Sequence, residues 1–263
     1  MNNIPEKKSN TPILIIGAVL VAALLAGWWF YSSSKATTTG NTNKAANKAN
    51  TPAKSNTIPA NAPIGANPPN QKGSQTASVT LEEFADFQCP QCAAAHPIMN
   101  EIKSIYGSRI RFIFRNFPLA IAAHDKSYDA AVAAEAAGMQ GKFWDMQNML
   151  FTNQRNWTAD PNFKQTWKDY AQKIGLDVPK WENDMAGIAA KSRVDADLAR
   201  GKGLNVNSTP TLYINGTDVP FQQMTVDSLR QLIDAELQKA PPPTQPAKTE
   251  TSPATNVAPA NKK

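Results

Sequence analysis

The chain is poor in groups that titrate or bind metals. Its 263 residues include only two cysteines and two histidines, and charged residues make up 18%. There is no second cysteine pair of the kind that completes a four-cysteine structural zinc site. Ala93, not a histidine, follows the second cysteine, so the signature of c-type haem attachment is absent. The formal charge of +6 is modest, and many lysines fall in stretches without hydrophobic pattern. No nucleic-acid-binding face follows from it. Charge is missing altogether between Lys8 and Lys35.

That uncharged stretch contains the one long apolar run, Ile13 to Tyr31, which at 19 residues is long enough to cross a bilayer as a helix. Trp28, Trp29, Phe30 and Tyr31 cluster at one end, where an aromatic belt meets the membrane surface. A cleaved signal peptide is the competing reading. Its apolar core is shorter and ends at a small-residue cleavage site, and none follows Tyr31. The adopted reading is a short segment 1–11 followed by an uncleaved transmembrane helix over 12–31. Lysines lie on both sides of the span, so flanking charge does not set its orientation, and a long trailing domain translocates largely regardless of charge.

Residues 32–70 are rich in Thr, Asn, Ala, Pro and Lys with no hydrophobic period. They read as a disordered tether that buries too little apolar surface to fold. Residues 240–263 open with Pro241-Pro242-Pro243 and read as a disordered tail. The folded unit is then 71–239, one domain long enough for a proper core.

Both cysteines sit inside that unit, in Phe87-Gln88-Cys89-Pro90-Gln91-Cys92. The apolar stretch Val79–Phe87 reads as a strand running into them, and Gln91–Tyr106 reads as a helix leaving them. Pro90 suits a first helical turn, where its missing N–H would have no partner anyway. Cys89 then falls at the N-cap, facing free backbone N–H groups and the positive end of the helix dipole. Both favour thiolate over thiol and make the sulfur reactive. Cys92, one turn on, is placed to form a disulfide with Cys89. A hydrophobic segment ahead of such a motif suits export to an oxidising space.

Further along, Arg109–Arg115 alternates with period two and predicts a second strand. From His124 to Gly203 the pattern is helical, with segments at Ser127–Ala137, Lys142–Phe151, Asn162–Ile174 and Val178–Leu198. Phe143, Trp144, Phe151, Trp157, Phe163, Trp167 and Trp181 are expected to form its core. Thr211–Ile214 predicts a strand, Asn215-Gly216 a hairpin turn, and Val219–Gln222 a last strand. Thr225–Gln238 predicts a helix with Leu229, Leu232, Ile233 and Leu237 on one face.

This order resembles the thioredoxin fold with an inserted helical subdomain, and specifically the DsbA-like thiol–disulfide oxidoreductases. The resemblance is carried by Gly73 through Cys92, by His96-Pro97, by Phe117-Pro118-Leu119, and by Ser208-Thr209-Pro210-Thr211-Leu212-Tyr213-Ile214-Asn215-Gly216. It covers Gly73 to Leu237 and implies an α/β thioredoxin fold with a helical insert at about 120–205. Two positions depart from the family: Pro90-Gln91 stands where its best-known oxidant has Pro-His, and Ser208 stands where related sequences often have Gly.

The resemblance implies catalytic roles for Cys89, Cys92 and Glu83, with Glu83 moving protons for the buried Cys92. Desolvation on a central strand would raise the pKa of Glu83, and its neighbour Glu82 is expected at an exposed edge. Thr209-Pro210 is expected to be a cis bond packed against the cysteines, leaving the Thr209 backbone free for a substrate strand. Pro90, Gln91, Thr209 and Pro210 thus support the site. Cys89, Cys92 and His96 were weighed as three metal ligands, but a fourth is missing; His96 is expected at the helix surface and His124 in a loop. No metal and no cofactor is expected.

The function implied is a membrane-tethered oxidase that forms disulfides in exported proteins with free thiols. A quinone-linked membrane partner would reoxidise it. The expected location is a single-pass anchor in the cell membrane with the domain on the periplasmic or extracytoplasmic side, as a monomer. A reductase or isomerase using the same residues is the first alternative, although no dimerisation module of the isomerase kind is present. A metal-carrying or redox-sensing binding module is the second.

Overall fold

The computed structural model describes residues 58–59 and 61–239. The expected span at 12–31 lies outside them, as do residues 1–11, most of the tether and the tail at 240–263. Among the described residues no helix is long and apolar enough to cross a membrane.

The centre of the domain is β2 (Val79–Ala85), buried along almost its whole length. A strand covered on both faces reads as a continuous apolar run rather than an alternating one. It pairs in parallel with β3 (Ile110–Asn116) and antiparallel with β4 (Thr211–Ile214). Two short strands complete the sheet, β1 (Asn70–Gly73) beyond β3 and β5 (Thr217–Val219) beyond β4. The order is β1-β3-β2-β4-β5.

Helix α1 (Pro90–Tyr106) connects β2 to β3, and Gly107 ends it with a positive φ. The helical insert then runs through α2 (Ser127–Gly138), α3 (Phe143–Thr152), α4 (Gln154–Ala159), α5 (Phe163–Lys173), α6 (Val178–Ala186) and α7 (Ile188–Gly203). Alanines dominate α2, and all seven residues from Ala130 to Ala136 bury, which lets α3, α6 and α7 pack closely around it. Trp157, Trp167 and Trp181 are fully buried and fill the insert's core. Helix α8 (Val226–Lys239) lays Leu229 and Ile233 against the sheet side of α1.

Several expectations shift. The segment 178–198 is two helices, because the extended backbone at Gly187 ends the one that Asp177 caps at Lys180 N (3.0 Å) and starts another at Ile188. The last strand comes earlier than predicted: Asn215 and Gly216 both have positive φ, so a two-residue turn leads straight into Thr217. Strand β1 and helix α4 were not foreseen, since four and six residues carry little periodicity.

The tether ends before residue 70. Residues 61–69 lie against the sheet, fastened by a buried ionic group. Arg115 donates to the carbonyls of Ala66 (2.9 Å) and Ile64 (3.0 Å), to Glu82 (2.7 Å) and to Asp197 (2.9 Å). Arg200 binds both oxygens of Glu82 at 2.6 Å and the Pro63 carbonyl at 2.8 Å. Gly65 has φ +77° in this segment, and a Cβ there would lie 2.6 Å from Arg115 Nη1. Glu82 is therefore not an exposed edge residue, as expected, but 4% exposed. Burial pushes its carboxyl up, yet the two guanidiniums outweigh that and hold it below the ordinary range.

Candidate active site

Strand β2 ends at Ala85, and the turn Asp86-Phe87-Gln88 delivers Cys89 to the N-cap of α1. Pro90 occupies the first helical turn, and no side chain caps the helix. The turn is stitched to the insert from two sides. The carboxylate of Asp86, fully buried, accepts from Gln88 N (2.7 Å), Leu119 N (2.8 Å), Ser127 Oγ (2.5 Å) and His124 Nδ1 (2.7 Å). Gln88 Oε1 accepts from Lys126 N at 2.5 Å, tying the turn to the start of α2. From α4, Gln154 Nε2 donates to the carbonyls of Phe87 (2.7 Å) and Cys89 (2.9 Å). His124 is thus a ligand of the active-site turn rather than a plain loop residue.

Both cysteines are free thiols, with Cys89 4% exposed and Cys92 1%. Their acidities diverge. The pKa of Cys89 falls from 9.0 to about 6. A hydrogen bond from the Cys92 thiol contributes most; burial opposes it, and the Thr209 side chain and the backbone N–H groups of Cys92 and Gln91 add to the lowering. No single N–H at the helix start lowers it as much as the neighbouring thiol does. Cys92 is pushed well above its ordinary value, by burial first and then by Cys89, with the charge of Glu83 adding to it.

The Thr209-Pro210 bond is cis, and Pro210 is buried. The Cys89 thiol donates to the Thr209 carbonyl over 3.2 Å. Thr209 Oγ1 is buried and has no hydrogen-bond partner. Pro90 and Gln91 are exposed, and Gln91 Oε1 lies 3.7 Å from Cys89 Sγ. Glu83 lies on β2, in register with Phe114 of β3 and Leu212 of β4, and is 3% exposed. Burial raises its pKa from 4.5 to about 7 against the opposing charge of Lys103.

His96 is 7% exposed rather than a surface residue. Its Nε2 meets Asn148 Oδ1 at 3.0 Å and Asn100 Nδ2 at 3.1 Å, and its ring packs on Phe151. Among the described residues no three His, Cys, Asp or Glu side chains are placed to hold a metal ion.

Asp86, Gln88 and Gln154 were missed from sequence. A charged residue ending an apolar strand was the one available signal for Asp86. Gln154 carries none, because its role depends on where the insert folds back.

A family model described as Thioredoxin matches residues 68–235. Among solved structures the chain is similar to BdbD from Bacillus subtilis, at 24% identity and TM-score 0.58, covering 67% of this chain and 98% of that one. A thioredoxin-like oxidoreductase from Silicibacter pomeroyi matches at 24% identity and TM-score 0.53, covering 65% of this chain and 94% of that one. Of curated proteins, the Na(+)/H(+) antiporter NhaA 1 of Mycolicibacterium gilvum is 34% identical over 156 residues, 59% of this chain and 24% of the antiporter. The chain spans about a quarter of the length of the curated relatives it matches. It belongs to the thioredoxin family, and its fold is the one seen in DsbA-like thiol–disulfide oxidoreductases.

Proposed function

We propose that the domain is a thiol–disulfide oxidoreductase that runs as a dithiol oxidase. The observation that carries this is the divergence of the two cysteines at one helix start, Cys89 brought to about 6 and Cys92 pushed up. At pH 7 a thiol of pKa about 6 is ionised in a ratio of roughly ten to one. A stabilised thiolate favours the dithiol form, so the disulfide is the reactive, electron-accepting state.

In the forward direction a substrate thiolate attacks Cys89 Sγ of the Cys89–Cys92 disulfide. The S–S bond breaks, and its electron pair leaves on Cys92 Sγ, which takes a proton from Glu83. A second substrate thiolate attacks the substrate sulfur of the mixed disulfide and expels Cys89 as the thiolate. Two substrate thiols become one disulfide, and the cysteine pair is left reduced. The cis Thr209-Pro210 segment beside Cys89 is the candidate seat for the substrate backbone. By this reading the substrates are exported proteins with free thiols, and the chain is a monomer held to the cell membrane by 12–31, with its domain on the periplasmic or extracytoplasmic side. A quinone-linked membrane partner takes up the electrons.

The test is the equilibrium of the Cys89–Cys92 pair against glutathione, with urea denaturation of both redox states. The expected pair is more oxidising than thioredoxin, and its dithiol form resists urea better than its disulfide form. Gln91→His is expected to shift it further toward oxidant, since a cation near Cys89 favours the thiolate. A disulfide that stabilises the fold and resists glutathione would instead make the domain a reductase.

A further inference from the structure

Along the C-terminal half of α1, a cleft of about 600 Å³ opens between α1, β1, β3 and α3. Two ammonium groups converge there. Lys103 Nζ stands over the rings of Phe112 (4.8 Å) and Trp144 (4.9 Å), and Lys72 Nζ stands over Trp144 at 5.6 Å. Burial depresses the Lys103 ammonium first, Glu83 opposes that, and the charge of Lys72 adds to the lowering. Among the described residues neither has a carboxylate oxygen within 4.0 Å. Glu83 acts on Lys103 from the sheet side, so it offsets at most one of the two positive charges. Aromatic faces attract cations but add no negative charge.

A second observation points into the same space. Gln147 lines the cleft and is only 2% exposed, yet its amide makes no hydrogen bond among the described residues. Its amide is not among the buried groups left without a partner, so it reaches the solvent of the cleft, and an amide facing a cleft can bond whatever occupies it. Asn148, at the rim, has a free amide nitrogen, because only its Oδ1 is used by His96.

We propose that this cleft is a binding site for a small divalent oxyanion, held by Lys103 and Lys72 and hydrogen-bonded by Gln147 and Asn148. Like charges facing one cavity repel until a counter-ion sits between them, and a dianion neutralises both at once. The amides add the directional donors that a pair of lysines lacks. The cysteines do not line this cleft, and its anion binding does not depend on the redox reading, although Lys103 shares the charge of Glu83.

Inorganic sulfate is the probe, since it stays divalent at every working pH. The full chain, in nonionic detergent and in the dithiol state, is titrated with sulfate against chloride at matched ionic strength. The readouts are the nitrogen-15 resonances of the Trp144 indole and of the Gln147 and Asn148 amides. A saturable shift confined to these groups is expected. Lys103→Met should weaken sulfate by about tenfold, the worth of a charge-assisted contact in a partly enclosed site. Gln147→Leu, which keeps the side-chain bulk, should weaken it by about threefold or more. The monoanion methyl sulfate should bind about tenfold more weakly than sulfate. Shifts that stay linear with sulfate, that spread over other lysines, or that persist unchanged in Lys103→Met would overturn the site. Equal affinity for methyl sulfate would overturn its divalent character.

Discussion

Replacing Glu83 with Gln tests whether the acid beneath the cysteines is truly desolvated. Glu83 is 3% exposed on a central strand, and burial lifts its pKa from 4.5 to about 7. Below pH 4.5 the carboxyl is neutral in folded and unfolded chains alike and has no effect on stability. Between 4.5 and 7 the unfolded chain ionises first and the folded one holds its proton, so stability falls as pH rises. Above 7 the loss is complete. The interval is about 2.5 pH units, and at about 1.4 kcal/mol each the loss is about 3 kcal/mol. Gln is neutral throughout and close in shape. Glu83→Gln is therefore expected to match the parent near pH 4.5 and to exceed it by about 3 kcal/mol at pH 8. Urea midpoints of the dithiol protein at half-unit pH steps measure this directly. A stability difference that is flat across the range would mean that Glu83 ionises at its ordinary value, and the argument from burial would fail. In the proposed oxidase cycle, that step near neutrality is what would let Glu83 exchange a proton with Cys92.

Three further outcomes follow from the geometry. In the dithiol protein, limited alkylation should label Cys89 with a pH midpoint near 6, and Cys92 only on unfolding; mass spectrometry showing Cys92 labelled first would refute the assignment. Thr209→Val removes a buried hydroxyl that has no partner beside the resting thiol and is free to donate to the Cys89 thiolate. It should raise the Cys89 midpoint by about one pH unit, the worth of one hydrogen bond to a charged group, read from the ultraviolet absorbance of the thiolate. Arg115→Met strips Asp197 of its cation and the Ile64 and Ala66 carbonyls of their donor, and should lower unfolding stability by about 3–5 kcal/mol. Chemical denaturation checks it, and a loss below about 1 kcal/mol would show that Arg200 suffices alone.

Local chemistry determined much of this protein before any fold was known. Cysteine spacing, Pro90 at a helix start and the apolar run into Cys89 are nearest-neighbour facts, and they were enough to place both thiols at the start of one helix. Asn215-Gly216 specified its hairpin for the same reason, because the positive φ that both residues adopt is set within the residue. The period-two pattern of β3 and the buried tryptophans of the insert were also legible, although β3 is buried on both faces and its Arg115 is paired inside with Glu82 and Asp197.

Tertiary structure alone decided the rest. Glu82 and Glu83 are adjacent glutamates on one strand, and nothing local separates them. Successive side chains of a strand point to opposite faces, so Glu82 meets Arg115 and Arg200 while Glu83 meets an apolar layer and Lys103. Gln154 lies 65 residues from Cys89 in the chain, yet binds its carbonyl. Residues 61–69 look like linker because they are poor in apolar side chains. They are held through their backbone carbonyls instead, by an arginine about fifty residues away, and the carbonyl is the one acceptor that every residue carries and no sequence pattern reveals.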